Sequence, residues 1–325
     1  MCDIISDYYK GLTLICLSEN KDINIDQIKQ NYNLKNYFKI INRKKYSNRF
    51  GVILYYIFIF LHILKNKYDF YYCRHPFFLI PLFFFKKNYI LELHDLRIFN
   101  NKIYFYIFKY LLPLEKLKKI IVISDQLKLD FIKIYPNISY KIYTVHDGAS
   151  KYEPKIKKTK YLNGEYNFNL LYVGSLHTGK GLEVIEKLIP NFKQFGFHIV
   201  GGAGQSLEFW SSKLKIYKNV FFYGHIPHLF VPYYIDNANI CLLPNQKKIK
   251  IFNNKNKYIE IGKYTSPLKL FEYMSQGKTI IASDLPNINE VLKNNYNSIL
   301  CKSDIIEDWI NAIQKVTNDN DLNLK

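Results

Sequence analysis

Within TSPLKLFEYMSQGKTIIASDLP (265–286) a serine precedes a proline, one glutamate interrupts an apolar helical pattern, a glycine follows, and an apolar strand ends in Ser-Asp. Ser266 is expected as a helix N-cap, Pro267 in the first turn, and Gly277 at the stop. Unbonded N–H groups at such an N-terminus, with the helix dipole behind them, attract an anion. Glu272 falls in the second turn, on the stripe shared with Leu268 and Gln276 and beside a Leu270–Phe271–Met274 face. A carboxylate there can accept two hydrogen bonds, such as those from a ribose diol. A well-capped surface helix would show the same pattern.

YVGSLHTGKGLE (172–183) has related chemistry. A strand ends at Gly174–Ser175, glycines loosen the turn, and a helix begins near Gly181. Lys180 then stands where an ammonium can meet phosphate oxygens over a helix N-terminus. The spacing is not that of a Walker loop. VGGAGQ (200–205), with Gly202, is a third glycine turn after a strand. His225 and His228 in GHIPH have a loose metal-like spacing that a turn explains better, and His94 ends the apolar run YILELH (89–94).

Those turns need strands to hold them. In the first half DFYYCR (69–74), YILELH and KKIIVIS (118–124) read as strands, NKIYFYIFKYLLPLEKL as a helix, and Ser124 or Asp125 as the cap of DQLKLDFIKIY. In the second half NLLYVG (169–174), FHIVGG (197–202), NVFFYG (219–224), NICLLP (239–244) and TIIASD (279–284) read as strands between helical stretches. Continuous apolar runs of this kind predict parallel sheets covered on both faces, with ligands at the strands' carboxyl ends. The polar, basic stretch 151–166, with Pro154 and Gly164, predicts a linker between domains at 1–150 and 167–325.

The 325 residues are 48% apolar, enough for two α/β cores. The net charge is +19, of which residues 1–170 carry +14, as 28 Lys+Arg less 14 Asp+Glu. Codon usage in an AT-rich genome accounts for part of the Lys, Asn, Ile and Tyr content. The uneven remainder suits an anionic partner such as a membrane surface. No helix-turn-helix, zinc module or RNP-like strand points to nucleic acid. Five widely spaced cysteines without a CxxC fit a reducing, cytoplasmic compartment, and the first residues do not read as a signal peptide. The apolar runs GVILYYIFIFLHIL (51–64) and PFFLIPLFFF (76–85) are shorter than the roughly 20 residues that span a bilayer. Buried helix and strand is the first expectation for them. With Lys65, Lys67, Lys86 and Lys87 alongside, peripheral contact with the inner face of the cytoplasmic membrane is the second.

In order along the second half, YVGSLHTGKGLE, HIVGGAG, NVFFYGHIP, ANICLLPN and SPLKLFEYMSQGKTIIASDLPNINEVLKNNYNSIL resemble the nucleotide-sugar domain of family-4 retaining glycosyltransferases of the GT-B fold. YCRHP, YILELHD, VISDQLKLDF and YKIYTVHDGAS agree more loosely. The resemblance implies an α/β chain of two Rossmann-like domains facing across a cleft. It implies a nucleoside-diphosphate sugar as donor, a glycan or lipid-linked hydroxyl as acceptor, and no metal or other cofactor, so the DxD at Asp319 and Asp321 is set aside. Lys180 would hold the diphosphate and Glu272 the ribose. Backbone groups of Ser266, Pro267 and Leu268, and the turns at Gly174, Ser175 and Gly202, would meet phosphates or sugar. Gly224, His225 and Ile226 would face the base, and His94, oriented by Asp95, the reacting carbon.

Three departures qualify it. Tyr264 stands where the family often has a first glutamate. Ser175 stands where many members have an arginine, a lost charged contact of about 1.5–3 kcal/mol that Lys263, Lys269 or Lys278 could replace. The opening strand and glycine-rich loop, and the closing helix after Trp309, look short. A non-catalytic GT-B-like subunit that binds a nucleotide sugar or a partner enzyme is therefore the alternative to an active transferase.

Overall fold

A computed structural model describes residues 2–18, 26, 34, 38–44, 49–150, 161–251, 259–260, 264 and 266–318. The chain divides into two compact units. The first comprises Met1–Glu92, Tyr106–Lys119 and Pro227–Leu229, and the second Leu93–Phe105, Ile120–Ile226 and Phe230–Lys325. Residues 151–160 of the expected linker, and Asp319 and Asp321, lie outside the described residues.

Helix α1 (Cys2–Tyr8) precedes β1 (Thr13–Ser18), which pairs in parallel with β2 (Lys39–Lys44). Helix α2 (Arg49–Lys65) leads to β3 (Tyr71–Cys73), helix α3 (Leu79–Phe84) and β4 (Tyr89–Leu93), parallel to β3. Then come α4 (Lys102–Leu111), β5 (Leu117–Val122), α5 (Asp125–Ile134) and β6 (Ile142–Thr144), parallel to β5. The four strands form one sheet in the order β3-β4-β5-β6. Ser124 is the α5 cap as expected: its Oγ accepts the Leu127 N–H at 3.2 Å.

The two apolar runs correct the first expectation. Residues 51–64 are helical but not buried: Ile59 and Ile63, four apart, face inward, while Val52, Ile53, Ile57, Leu61 and Leu64 are exposed. A helix apolar on every side can press only one stripe against a core. Residues 76–85 contain no strand. Pro76 opens a short 3₁₀ turn and Pro81 sits in the first turn of α3, where the missing N–H costs nothing.

The second unit is built on a six-stranded sheet. Its elements are β7 (Asn169–Val173), α6 (Leu182–Leu188), β8 (Gly196–Val200), α7 (Gly204–Leu214), β9 (Val220–Gly224), α8 (Val231–Asp236) and β10 (Ile240–Leu243). A two-stranded antiparallel ribbon, β11 (Lys250–Ile251) with β12 (Ile259–Glu260), intervenes. It is followed by α9 (Leu268–Ser275), β13 (Thr279–Ser283), α10 (Pro286–Asn289), β14 (Ile299–Cys301) and α11 (Ile306–Asn318). The order is β14-β13-β10-β7-β8-β9, every pair parallel. Two buried clusters cover its faces: one holds Leu170, Tyr172, Ile199 and Trp309, the other Leu171, Val173, Leu270 and Tyr273. Alternate residues of β7 thus serve opposite cores, so its apolar run is continuous.

A polar chain centres on the buried His198. The Asn163 N–H donates to Tyr223 Oη at 2.7 Å, Tyr223 donates to His198 Nδ1 at 2.9 Å, and His198 Nε2–H donates to Asn169 Oδ1 at 2.9 Å. The Tyr223 hydroxyl, already accepting, has its proton left for His198, which fixes the neutral tautomer. Burial pushes the His198 pKa down to about 4.

Candidate functional site

The sheet order reverses between β7 and β10: later strands add outward from β7 on one side and from β10 on the other. At such a switch point the connections leave in opposite directions and open a crevice at the carboxyl ends. The turns there are fastened through backbone groups. Gln246 N–H, after β10, donates to the Gly179 carbonyl at 2.8 Å, and Gly179 N–H donates to Glu183 Oε1 at 3.0 Å. A side chain at Gly201 (φ 113°) would strike the Gly174 carbonyl, so the turns after β8 and β7 touch only because residue 201 is glycine. Gly202 packs on Leu176 in the same way.

Lys180 closes the β7 turn, its N–H donating to the His177 carbonyl at 3.0 Å, one residue before Gly181 caps α6. Its ammonium has no hydrogen-bond or ion-pair partner among the described residues, and burial lowers its pKa. Burial, then the Lys180 charge, lowers that of His177, whose Nδ1 is buried and unbonded.

Helix α9 begins where a helix preceding a strand of a parallel sheet must begin, at the carboxyl edge. Its cap corrects the sequence reading. Pro267, with φ −79° and ψ 106°, is the N-cap itself; Ser266 lies outside, and no side chain caps the helix. The Leu268 and Lys269 amides have no intrahelical acceptor, while Leu270 N–H bonds the Pro267 carbonyl at 2.9 Å. The stop is as read: Gly277 (φ 61°) donates to Met274 O and Lys278 to Tyr273 O, a Schellman ending. The buried face is Lys269–Leu270–Tyr273, not Leu270–Phe271–Met274; Met274 is exposed. Tyr273 fixes the helix to the sheet, its hydroxyl accepting the Val173 N–H at 2.9 Å.

Lys269 brings the two stretches together. Its Nζ lies 4.1 Å from the Tyr172 ring centroid and 3.3 Å from where a Cβ on Gly174 would be. Burial, then the Lys180 charge, depress its pKa, and the half-buried Glu272 carboxylate works against them. So Lys180, the α9 N-terminus and Glu272 gather around the end of β7. Ser175 is exposed there, its carbonyl accepting from Tyr172 Oη at 2.8 Å. Gly224 ends β9 at φ 66°, followed by exposed His225 and half-buried Ile226. His94 belongs to the other sheet, directly after β4; its neighbour Asp95 holds Arg97 through both the backbone N–H (2.9 Å) and the guanidinium (2.7 Å).

Two contacts escaped the sequence reading. Tyr264 donates to Asp130 Oδ2 at 3.0 Å, so a carboxylate faces that position from α5. Glu290 accepts the N–H groups of Asp125 (2.7 Å) and Gln126 (2.9 Å), capping α5, with His146 Nδ1 3.7 Å away. Asp125, His146 and Glu290 cluster within 4.8 Å, but both Glu290 oxygens already serve the helix. Nothing local marks either contact in the sequence.

A doubly wound sheet with cations, helix amides and a carboxylate at its switch point defines a class, the α/β proteins that bind phosphorylated ligands at strand ends. Within it the chain belongs to the group 1 glycosyl transferases, whose family model matches residues 154–325. None of the curated proteins compared matches the chain. Among solved structures, the fold is similar to that of Anabaena Alr3699/HepE in complex with UDP and glucose, at TM-score 0.71 and 15% identity, over 99% of this chain and 86% of that one. It is likewise similar to a Rickettsia africae ESF-5 glycosyltransferase, at TM-score 0.73 and 15% identity, over 100% and 85%. Sucrose-phosphate synthase from Thermosynechococcus elongatus gives 0.68 and 16%, over 97% and 91%. The fold is that of GT-B glycosyltransferases, α/β with parallel sheets.

Proposed function

We propose that the chain transfers a sugar from a nucleoside-diphosphate donor to a hydroxyl of a glycan or lipid-linked acceptor, with retention of anomeric configuration. The observation that carries this is the meeting of Lys180 with the α9 N-terminus beside Gly174. Lys180 and the Leu268 amide, with backbone of Ser266 and Pro267, take the diphosphate; Glu272 accepts the ribose hydroxyls; the Gly224–Ile226 loop faces the base. His94 serves the reacting sugar. Residues 1–150 form the acceptor-side domain. No protein nucleophile is part of this reading: the acceptor hydroxyl attacks the face the diphosphate leaves, and the leaving phosphate takes its proton. Catalysis is then positioning plus stabilisation of the departing charge, without metal or other cofactor.

The exposed apolar helix α2, with exposed Lys65 and Lys67 at its end and exposed Lys86 beyond α3, supports attachment to the inner, anionic face of the cytoplasmic membrane, where a lipid-linked acceptor resides. No described helix is long and apolar enough to cross a membrane.

Lys180→Ala and Glu272→Ala should each lower donor affinity or turnover tenfold or more, at least about 1.4 kcal/mol, in titrations and transfer assays with a panel of nucleotide sugars. Both variants behaving as wild type would end the assignment. Binding with no turnover across donors and acceptors would identify a non-catalytic subunit.

A further inference from the structure

Of the three lysines that could replace the charge Ser175 lacks, the structure separates two. Lys278 is committed elsewhere: its ammonium bonds the Asp236 carbonyl at 2.5 Å and the Ala238 carbonyl at 3.3 Å. Lys269 makes no ion pair among the described residues, although the Glu272 carboxylate favours its charge. The lysine is 8% exposed, its Nζ is shielded from solvent, and it has no hydrogen-bond partner among the described residues. Lys263 lies outside the described residues.

An ammonium without a hydrogen bond in the interior is costly. The Tyr172 ring face offsets part of that cost. The rest has a direction: Nζ lies against Gly174, 3.3 Å from where a Cβ would stand, so in the β7 turn it is a glycine, with no side chain of its own, that covers the ammonium. We propose that Lys269 is a direct ligand of the donor's phosphates, meeting them across Gly174 in company with Lys180. This rests on the reading of the site as a diphosphate site and goes further, because it assigns a buried side chain that the turn's own sequence does not contain.

The chemistry has a consequence for protons. The groups facing Lys269 are Lys180 from the β7 turn, Glu272 and Tyr273 from its own helix, and Tyr172 from β7, both tyrosine hydroxyls held protonated by burial. Burial and the Lys180 charge disfavour the protonated form of Lys269 in the free site, and an arriving diphosphate favours it. Donor binding therefore draws in a proton.

The test is calorimetry of the full chain with UDP, GDP, ADP and dTDP at about pH 8, in Tris and in HEPES, whose ionisation enthalpies differ. The expected result is binding of at least one nucleotide with a buffer-dependent enthalpy that reports proton uptake. Lys269→Met should bind at least tenfold more weakly, with less uptake, while its melting temperature stays level or rises because an unpaired amine has gone. Lys180→Met should keep part of the uptake, and Lys269→Arg, charged at every pH, should bind without that share. Should Lys269→Met fail to fold, the uptake retained by Lys180→Met decides. Nucleotide binding with no buffer dependence and no loss in Lys269→Met overturns the role of Lys269 and leaves the diphosphate site standing. Wild type binding none of the four nucleotides overturns both.

Discussion

Helix α2 and helix α9 both combine lysine with aromatic and aliphatic side chains and use them in opposite senses. In α9 a lysine is buried and Leu268 and Met274 are exposed; in α2 the apolar residues are largely outside and Lys65 lies among them at the exposed end. The difference follows from what each helix is packed against. Helix α9 is held to a sheet by Leu270 and Tyr273, whose registry with β7 leaves position 269 no way out to solvent. Helix α2 is anchored mainly through Ile59 and Ile63, and the rest of its surface has only water or an apolar medium to choose from. A charge inside and a hydrophobe outside are the same kind of signal: each lowers stability in water unless something binds there.

The strongest way to probe the interior side of this contrast is pH. The His198 pKa is depressed to about 4 in the folded chain, against the ordinary value of 6.5. Below the ordinary value the unfolded chain takes the proton first. Stability should therefore be intact above about pH 6.5 and fall as pH drops towards about 4, by roughly 3 kcal/mol. Chemical denaturation across that window reads it, and His198→Gln should flatten the slope; an unchanged slope would show that the Tyr223–His198–Asn169 chain titrates freely. Next in size is Tyr273→Phe. It leaves the buried Val173 N–H without its acceptor and should cost about 1–3 kcal/mol in urea unfolding. A cost near zero would mean that α9 does not depend on that bond for its seat. The smallest effect belongs to the outside: Leu61→Asp should weaken binding to anionic vesicles about fivefold, near 1 kcal/mol, and leave stability unchanged. A stability loss instead would place Leu61 in a core.

Much of this was legible in the sequence. The strands of the second half were, because a strand buried on both faces must be largely apolar: 170–173 and 240–243 are wholly so, and 197–200 is broken only by His198. Gly277 was, because a Schellman ending needs a positive φ. The start of α9 was not: Pro267 fixes φ alone, and its ψ of 106° turns it into the cap that Ser266 was expected to be. Lys269 was only one of three candidates, since a lysine in an apolar pattern counts as outward-facing until its neighbours are known. The exposure of α2 was not readable either, as hydropathy reports what a residue prefers and not what covers it. The Tyr264–Asp130 and Glu290–α5 contacts join positions far apart in the chain and carry no local mark.

The last of these contacts bears on biosynthesis. The first turn of α5 is completed by a carboxylate 165 positions downstream of Asp125. On the ribosome, the Asp125 and Gln126 amides must stay hydrated until Glu290 has emerged, so the nascent first half waits for the second before that helix end is sealed.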